Sequence, residues 1–326
     1  MAMIGAPPRQ RRALPFGIGD PARAERGAIW PAWSLLLLAA LALVDLLWIA
    51  ATPLSVSAAG AGGPLLGLAF AALSAFALRH MALPAKPRML LAGLAFMLAA
   101  WPVLRLFNHL AMTVPMPLAD PWLAYADRAL GFDWLAYARW VDAQPVLIQL
   151  MRWAYGGLTL YSALTFVLIL SVIGVKRARE FTLLFLLTAI GASALGMFFP
   201  AEAAMTHYAP DLSQFRSISG RTGTYHIALL HELRGNPAHV FLLDKMPGLT
   251  TFPSFHTAMG LLGIWCARGH VKLFVPVLAV NALMIASTPV LGSHYLIDLI
   301  GGLLLTVGAI LLLRWTERPA KPAALR

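Results

Sequence analysis

The chain has 326 residues, 60% hydrophobic and 12% charged, with a mean hydropathy of +0.73. Soluble domains are nearer half apolar and about a quarter charged, so this composition excludes an ordinary soluble fold and points to a multi-span helical membrane protein. The net charge of +11 belongs to basic loops on one membrane face; no soluble basic domain remains to carry it, so no nucleic-acid partner is expected.

In chain order, residues 1–30 hold Pro7, Pro8, Pro15 and Pro21 among Arg9, Arg11, Arg12, Arg23 and Arg26. They read as a basic cytoplasmic tail; the apolar run after them is too long for a cleaved signal peptide. Apolar runs at 33–53, 64–83 and 89–112 supply three N-terminal spans within 31–113. Asp45 lies inside the first, where a buried acid needs a partner, and Arg79 or Arg105 is the expected one. Residues 114–145 mix Trp122, Tyr125, Trp134, Tyr137 and Trp140 with Asp120, Asp127, Arg128, Asp133, Arg139 and Asp142, a pattern suited to helices lying in the interface. Further spans are expected at 146–172, 181–199, 253–266, 273–289 and 294–313. A polar segment, 201–251, separates the second of these from the third, and 317–326 forms a cytoplasmic tail. The predicted fold class is an all-α polytopic helical membrane protein of about eight spans. Cys266 is the only cysteine, which excludes an intrachain disulfide and a thiolate cluster; inside an apolar run, it reads as a packing residue.

Loop charges set the orientation. The connections after even-numbered spans carry Arg79, Lys86, Arg88, Lys176, Arg177, Arg179, Arg268 and Lys272, and the last span is followed by Arg314, Arg318, Lys321 and Arg326. The positive-inside rule places both termini in the cytoplasm. The starts of the spans at 253 and 294 then share the opposite, periplasmic or exterior face of what is expected to be a bacterial inner membrane.

Those two starts carry the chemistry. In Pro253-Ser254-Phe255-His256, proline suits a first helical turn and Thr250 or Thr251 can cap it. A helix start presents unpaired N–H groups and partial positive charge, a natural phosphate site. Ser254 can add a hydroxyl, and His256 lies in the same turn. In His294-Tyr295-Leu296-Ile297-Asp298, the histidine and aspartate are four apart and share a face if helical. A carboxylate on one ring nitrogen fixes the tautomer and raises the basicity of the other. Two other readings stay open on spacing alone: a helix-stabilising contact and a zinc site of two histidines and one aspartate. The second leaves Pro253-Ser254 without a role and sets a cation against a helix start, so no metal or cofactor is expected. A solute carrier is the non-enzymatic rival, but repeated Gly/Pro-broken spans are not seen.

The two motifs resemble the second and third signatures of the type 2 phosphatidic acid phosphatase superfamily. Pro253, Ser254 and His256 match the second. Ser287, His294 and Asp298 match the third in register, with Thr288 where its arginine belongs. The first signature, a lysine followed by arginine-proline, is missing from 201–251. These two departures, with His294-Tyr295 and Gly301, resemble the inositol phosphorylceramide synthase branch, which transfers a head group between lipids. The resemblance covers about 146–315 and implies a catalytic core at 146–316, with the six-helix core drawing also on the third span. It implies a lipid phosphoester substrate, His294 as nucleophile, Asp298 orienting it, His256 as acid and then base, and Ser254 and Ser287 among the phosphate contacts. Transfer to water would make the same residues a lipid phosphatase.

Phosphoryl transfer still needs positive charge around the phosphoryl oxygens. Arg234, in a polar turn beside a helical run, is the first choice and Arg221 the second. Arg216 and Lys245 share the loop, and Arg105 and Arg152 lie near the outer ends of their spans. His207, His226, His231 and His239 have no ligand spacing and read as surface residues.

Overall fold

The computed structural model describes residues 29–209, 211–218 and 223–317. The basic tail before 29, Arg221 and the tail beyond 317 lie outside the described residues. The chain is all-α, and six helices are long and apolar enough to cross a membrane: α1 (Ala32–Ala51), α2 (Gly62–His80), α3 (Ala85–Met112), α8 (Val175–Gly196), α12 (Val271–Leu291) and α13 (Leu296–Thr316). A bent helix pair is together long and apolar enough to be a seventh. Helices α6 (Pro145–Gly156) and α7 (Leu158–Leu168) meet at 66°. The bend needs glycine at 157, where a Cβ would fall 2.5 Å from the Tyr161 ring and 2.8 Å from the Trp153 carbonyl. Tyr161 Oη donates to that carbonyl and holds the bend. The remaining expected span is α11 (Phe255–Ala267), whose 13 residues rise only about 20 Å.

Short helices α4 (Asp120–Ala129) and α5 (Trp134–Asp142) fill the interfacial stretch, and α9 (Ala204–Tyr208) and α10 (Ile227–Gly235) lie in the polar segment. One feature had no sequence signal: β1 (Ser55–Ser57) pairs in parallel with β2 (Val240–Leu242). The pairing sets the α1–α2 link and the polar segment at the same end of the bundle. At the other end Lys86 Nζ donates to the Ser171 carbonyl, and Arg179 pairs with Glu317. Arg268 and Arg314 both lie over the Trp265 ring.

Asp45 departs from expectation. It is buried on α1, and neither carboxylate oxygen meets Arg79, Arg105 or any other partner among the described residues. Arg105, one of its two expected partners, is instead engaged near the site. Cys266 is fully buried in the core of α7, α8, α11, α12 and α13, as a packing residue would be.

Candidate active site

The site lies where α11 and α13 start and α12 ends. The helix geometry differs from the sequence expectation in both motifs. Ser254, not Thr250 or Thr251, is the N-cap of α11: its Oγ accepts the Thr257 N–H at 3.3 Å and the Thr257 hydroxyl at 3.2 Å. Pro253 therefore precedes the cap, after a cis Phe252–Pro253 bond, rather than opening the helix. His294 lies before α13 rather than on it. Asp298 reaches back from the first turn, so that Oδ2 accepts both the His294 Nδ1–H and the Tyr295 N–H at 3.0 Å. Both members of the pair are buried.

Small residues permit this closeness. Ser254 N–H donates to the Asp298 carbonyl at 2.9 Å, tying the two helix starts together. A Cβ on Gly302 would fall 2.5 Å from the Ser254 carbonyl, and one on Gly301 would fall 2.7 Å from the Phe252 ring. The turn before His294 is held in an unusual conformation. Ser293 has φ 56°, costly for a residue with a Cβ. Its carbonyl and hydroxyl accept the Ala204 and Met205 N–H groups at 2.8 Å, stabilising the start of α9.

The structure brings His256, His294 and Asp298 together. The His256 and His294 rings are 6.4 Å apart and edge-on at 66°. The His294 ring also hydrogen-bonds with the Thr251 backbone, and the buried Thr251 hydroxyl has no partner among the described residues. Tyr155, which the sequence reading passed over, stacks on His256 with centroids 4.2 Å apart and planes 10° apart. The Tyr155-Gly156-Gly157 run inside an apolar stretch was its only sequence signal.

Other expected contacts are engaged elsewhere. Ser287 donates its hydroxyl proton to the Met284 carbonyl of its own helix at 2.6 Å, and Thr288 donates to the same carbonyl at 2.9 Å. Arg234 donates to the Val114 and Met116 carbonyls and clasps the turn after α3. Those carbonyls lie beyond the helix end and need donors, which a guanidinium fork supplies. Arg152 likewise donates to the Ser217 carbonyl. Arg105 interacts electrostatically with His256. Its Nη1 donates to the Met246 carbonyl at 3.0 Å, and its guanidinium lies 4.1 Å from the centroid of the Trp101 ring.

Neighbours on α3 fix the segment running into the motif. Asn108 accepts the Leu249 N–H and donates to Thr250 Oγ1, and His109 bonds the Pro247 carbonyl. Three aspartates from the interfacial stretch brace the other side. Asp120 accepts the Glu202 and Ala203 N–H groups and the Tyr295 hydroxyl. Asp127 accepts the Leu296 and Ile297 N–H groups at 2.9 Å, satisfying the orphan donors at the start of α13. Asp142 accepts the N–H groups of Arg216, Ser217 and Ile218. Burial alone would raise the Asp142 carboxyl, but these three bonds and the Arg216 charge outweigh it and hold it below the usual range.

Two of the four loop histidines are not surface residues. His226 and His239 are buried; His207 and His231 are exposed. His226 bonds the Glu202 carbonyl at 2.7 Å. Burial pushes its ring down to about 4, with the nearby His294 adding to the effect against the Glu202 bond and Asp120. Spacing carries no sign of this burial, because it comes from segments far apart in the chain that fold over the two rings. Among the described residues, no three His, Cys, Asp or Glu side chains gather as a metal site.

Fold and site together define an integral membrane protein with two facing histidines, one held by a buried carboxylate, at one end of a helical bundle. Residues 121–312, more than half of the chain, match the family model described as the PAP2 superfamily, and the chain belongs to that superfamily. It is therefore an enzyme of the phosphatase and phosphotransferase type acting on lipid phosphoesters. The match begins one residue after Asp120 and takes in Asp127 and Asp142. No curated protein and no solved structure gives a significant match.

Proposed function

We propose that the enzyme transfers a phosphoryl-linked head group from a lipid phosphodiester to an alcohol acceptor through a phosphohistidine at His294. The observation that carries the reading is the buried His294 Nδ1–Asp298 Oδ2 bond of 3.0 Å, with the His256 ring facing His294. With Nδ1–H donated to the carboxylate, the lone pair belongs to Nε2. Nε2 attacks phosphorus, the P–O bond to the lipid alcohol breaks, and protonated His256 gives its proton to the leaving oxygen. A phosphoryl oxygen entering the site displaces the Thr251 backbone contact of His294. In the second half, neutral His256 takes the proton of the acceptor hydroxyl. The acceptor oxygen attacks phosphorus, the P–N bond breaks, and His294 regains its lone pair.

Arg105 stands in for the arginine missing at 288. Like Arg234 and Arg152 it donates to a carbonyl, that of Met246, but of the three it is the one that interacts with His256. The start of α11 and the unpartnered Thr251 hydroxyl add donors. A single clamp suits a diester, with one formal charge, better than a monoester, and so favours transfer over hydrolysis. The inositol phosphorylceramide synthase branch, which moves a head group to a sphingolipid, fits this pattern. Loop charge supports a site on the periplasmic or exterior face with the termini in the cytoplasm.

Purified enzyme given a labelled lipid phosphodiester and a lipid alcohol should form a new labelled phosphodiester, with activity unaffected by EDTA. Release of free phosphorylated head group, with no product on the added alcohol, would replace transfer by hydrolysis. Strong inhibition by EDTA would favour a metal mechanism.

A further inference from the structure

Tyr155 stands in the last turn of α6, where the span breaks at Gly156 and Gly157. Its ring covers one face of His256 at 4.2 Å and 10°, nearly parallel. Its hydroxyl end is equally placed: a Cβ on Gly292 would fall 2.5 Å from Tyr155 Oη and 2.7 Å from His294 Cδ2. One side chain therefore stacks on one histidine with its face, while its tip and the edge of the other histidine both border Gly292. The titratable or charged groups that face His256 are Tyr155 from α6, His294 from the turn before α13 and Arg105 from α3. His294 has a carboxylate hydrogen bond to set its plane. For His256 the flat contact with Tyr155 performs that task.

We propose that Tyr155 is a positioning residue: its ring, carried on the broken span, fixes the His256 imidazole at the angle from which it protonates the leaving oxygen. This rests on the reading above in which His294 attacks and His256 is the acid. The bend is part of the device. Gly157 permits it and the Tyr161–Trp153 bond holds it, so the last turn of α6 presents the tyrosine ring across the bundle to α11.

The test uses the purified full-length enzyme and two donor esters of the same phosphoryl group. One has an alkyl leaving group, which must be protonated as it departs. The other has a nitrophenyl group, which leaves as a stable anion. Tyr155→Leu should slow phosphoenzyme formation from the alkyl ester, read in a single turnover, about 10²-fold, the scale of a misplaced catalytic group, with little change in donor affinity. The loss on the nitrophenyl ester should be far smaller, because that step does not draw on general acid catalysis. His256→Ala should show the same contrast in that step, and Tyr155→Phe, which keeps the ring, should recover most of the alkyl-ester rate of phosphoenzyme formation lost with leucine. Tyr155→Met repeats the test should the leucine variant fail to fold. Equal losses on the two esters, or a phenylalanine variant as poor as leucine, would overturn the role of Tyr155. If His294→Ala retains turnover on both esters, the underlying reading fails instead.

Discussion

Asp298→Asn separates charge from shape. Asp298 Oδ2 accepts two N–H groups, while Oδ1 is buried and without a partner among the described residues. An asparagine can set its amide oxygen where Oδ2 stands and its NH2 where Oδ1 stands. The His294 tautomer and the Tyr295 contact then survive, and only the negative charge is lost. In the proposed transfer the imidazole becomes cationic as Nε2 bonds to phosphorus, and Asp298 would stabilise that charge. Charge centres ~4 Å apart at an effective dielectric constant of ~20 interact by ~4 kcal/mol. That corresponds to roughly a thousandfold in rate. Rapid-quench measurement of phosphoenzyme formation from labelled donor reads the effect directly, with donor affinity expected to hold. A variant within about tenfold of the wild-type rate would refute the reasoning and leave Asp298 a structural cap of α13.

Arg105→Met keeps apolar packing on Trp101 but removes the charge, and kcat/KM should fall by roughly 10² to 10³, the scale of a lost electrostatic donor. Arg234→Met should lower thermal stability in detergent and change kcat/KM little, which separates a clasp from a clamp. Asp127→Ala orphans two N–H groups at the start of α13; at about 1.5–3 kcal/mol per charge-assisted bond, thermal unfolding should show a loss of about 3 kcal/mol or more. His226 gives a pH dependence. Its folded value of about 4 lies below the ordinary ~6.5, so between these values the unfolded chain binds the extra proton. Stability should be full above about pH 6.5 and decline towards pH 4, by up to ~3 kcal/mol. His226→Gln should flatten the melting temperature over that window, and an unaltered slope would show that another group is responsible.

Much of the fold was legible because the bilayer imposes it. Apolar runs near 20 residues can only be helices there, and the runs at 33–53, 89–112 and 294–313 correspond closely to α1, α3 and α13. What failed was local. A capping serine and a first-turn proline both fit Pro253-Ser254, and sequence could not choose between them; packing against Gly301 and Gly302 did. His294 and Asp298 were read as one helix face, yet the histidine precedes the helix and the aspartate reaches back to it. Charged residues outside the two motifs were the least legible. Asp120 and Asp127, seven apart and so on one helical face, looked like interfacial acids but bond backbone N–H groups of other segments. Arg234 looked like an anion clamp for want of any view of the Val114 and Met116 carbonyls. Tyr155 was hidden because a tyrosine in an apolar span usually signals no more than packing.

The proposed transfer passes through a covalent bond between phosphorus and His294. Wild-type enzyme quenched during turnover of a donor labelled in its phosphorus should yield an acid-labile, base-stable label on the peptide containing His294, and His294→Ala should show neither label nor turnover. Turnover that persists in His294→Ala, or label found on another residue, would contradict the account.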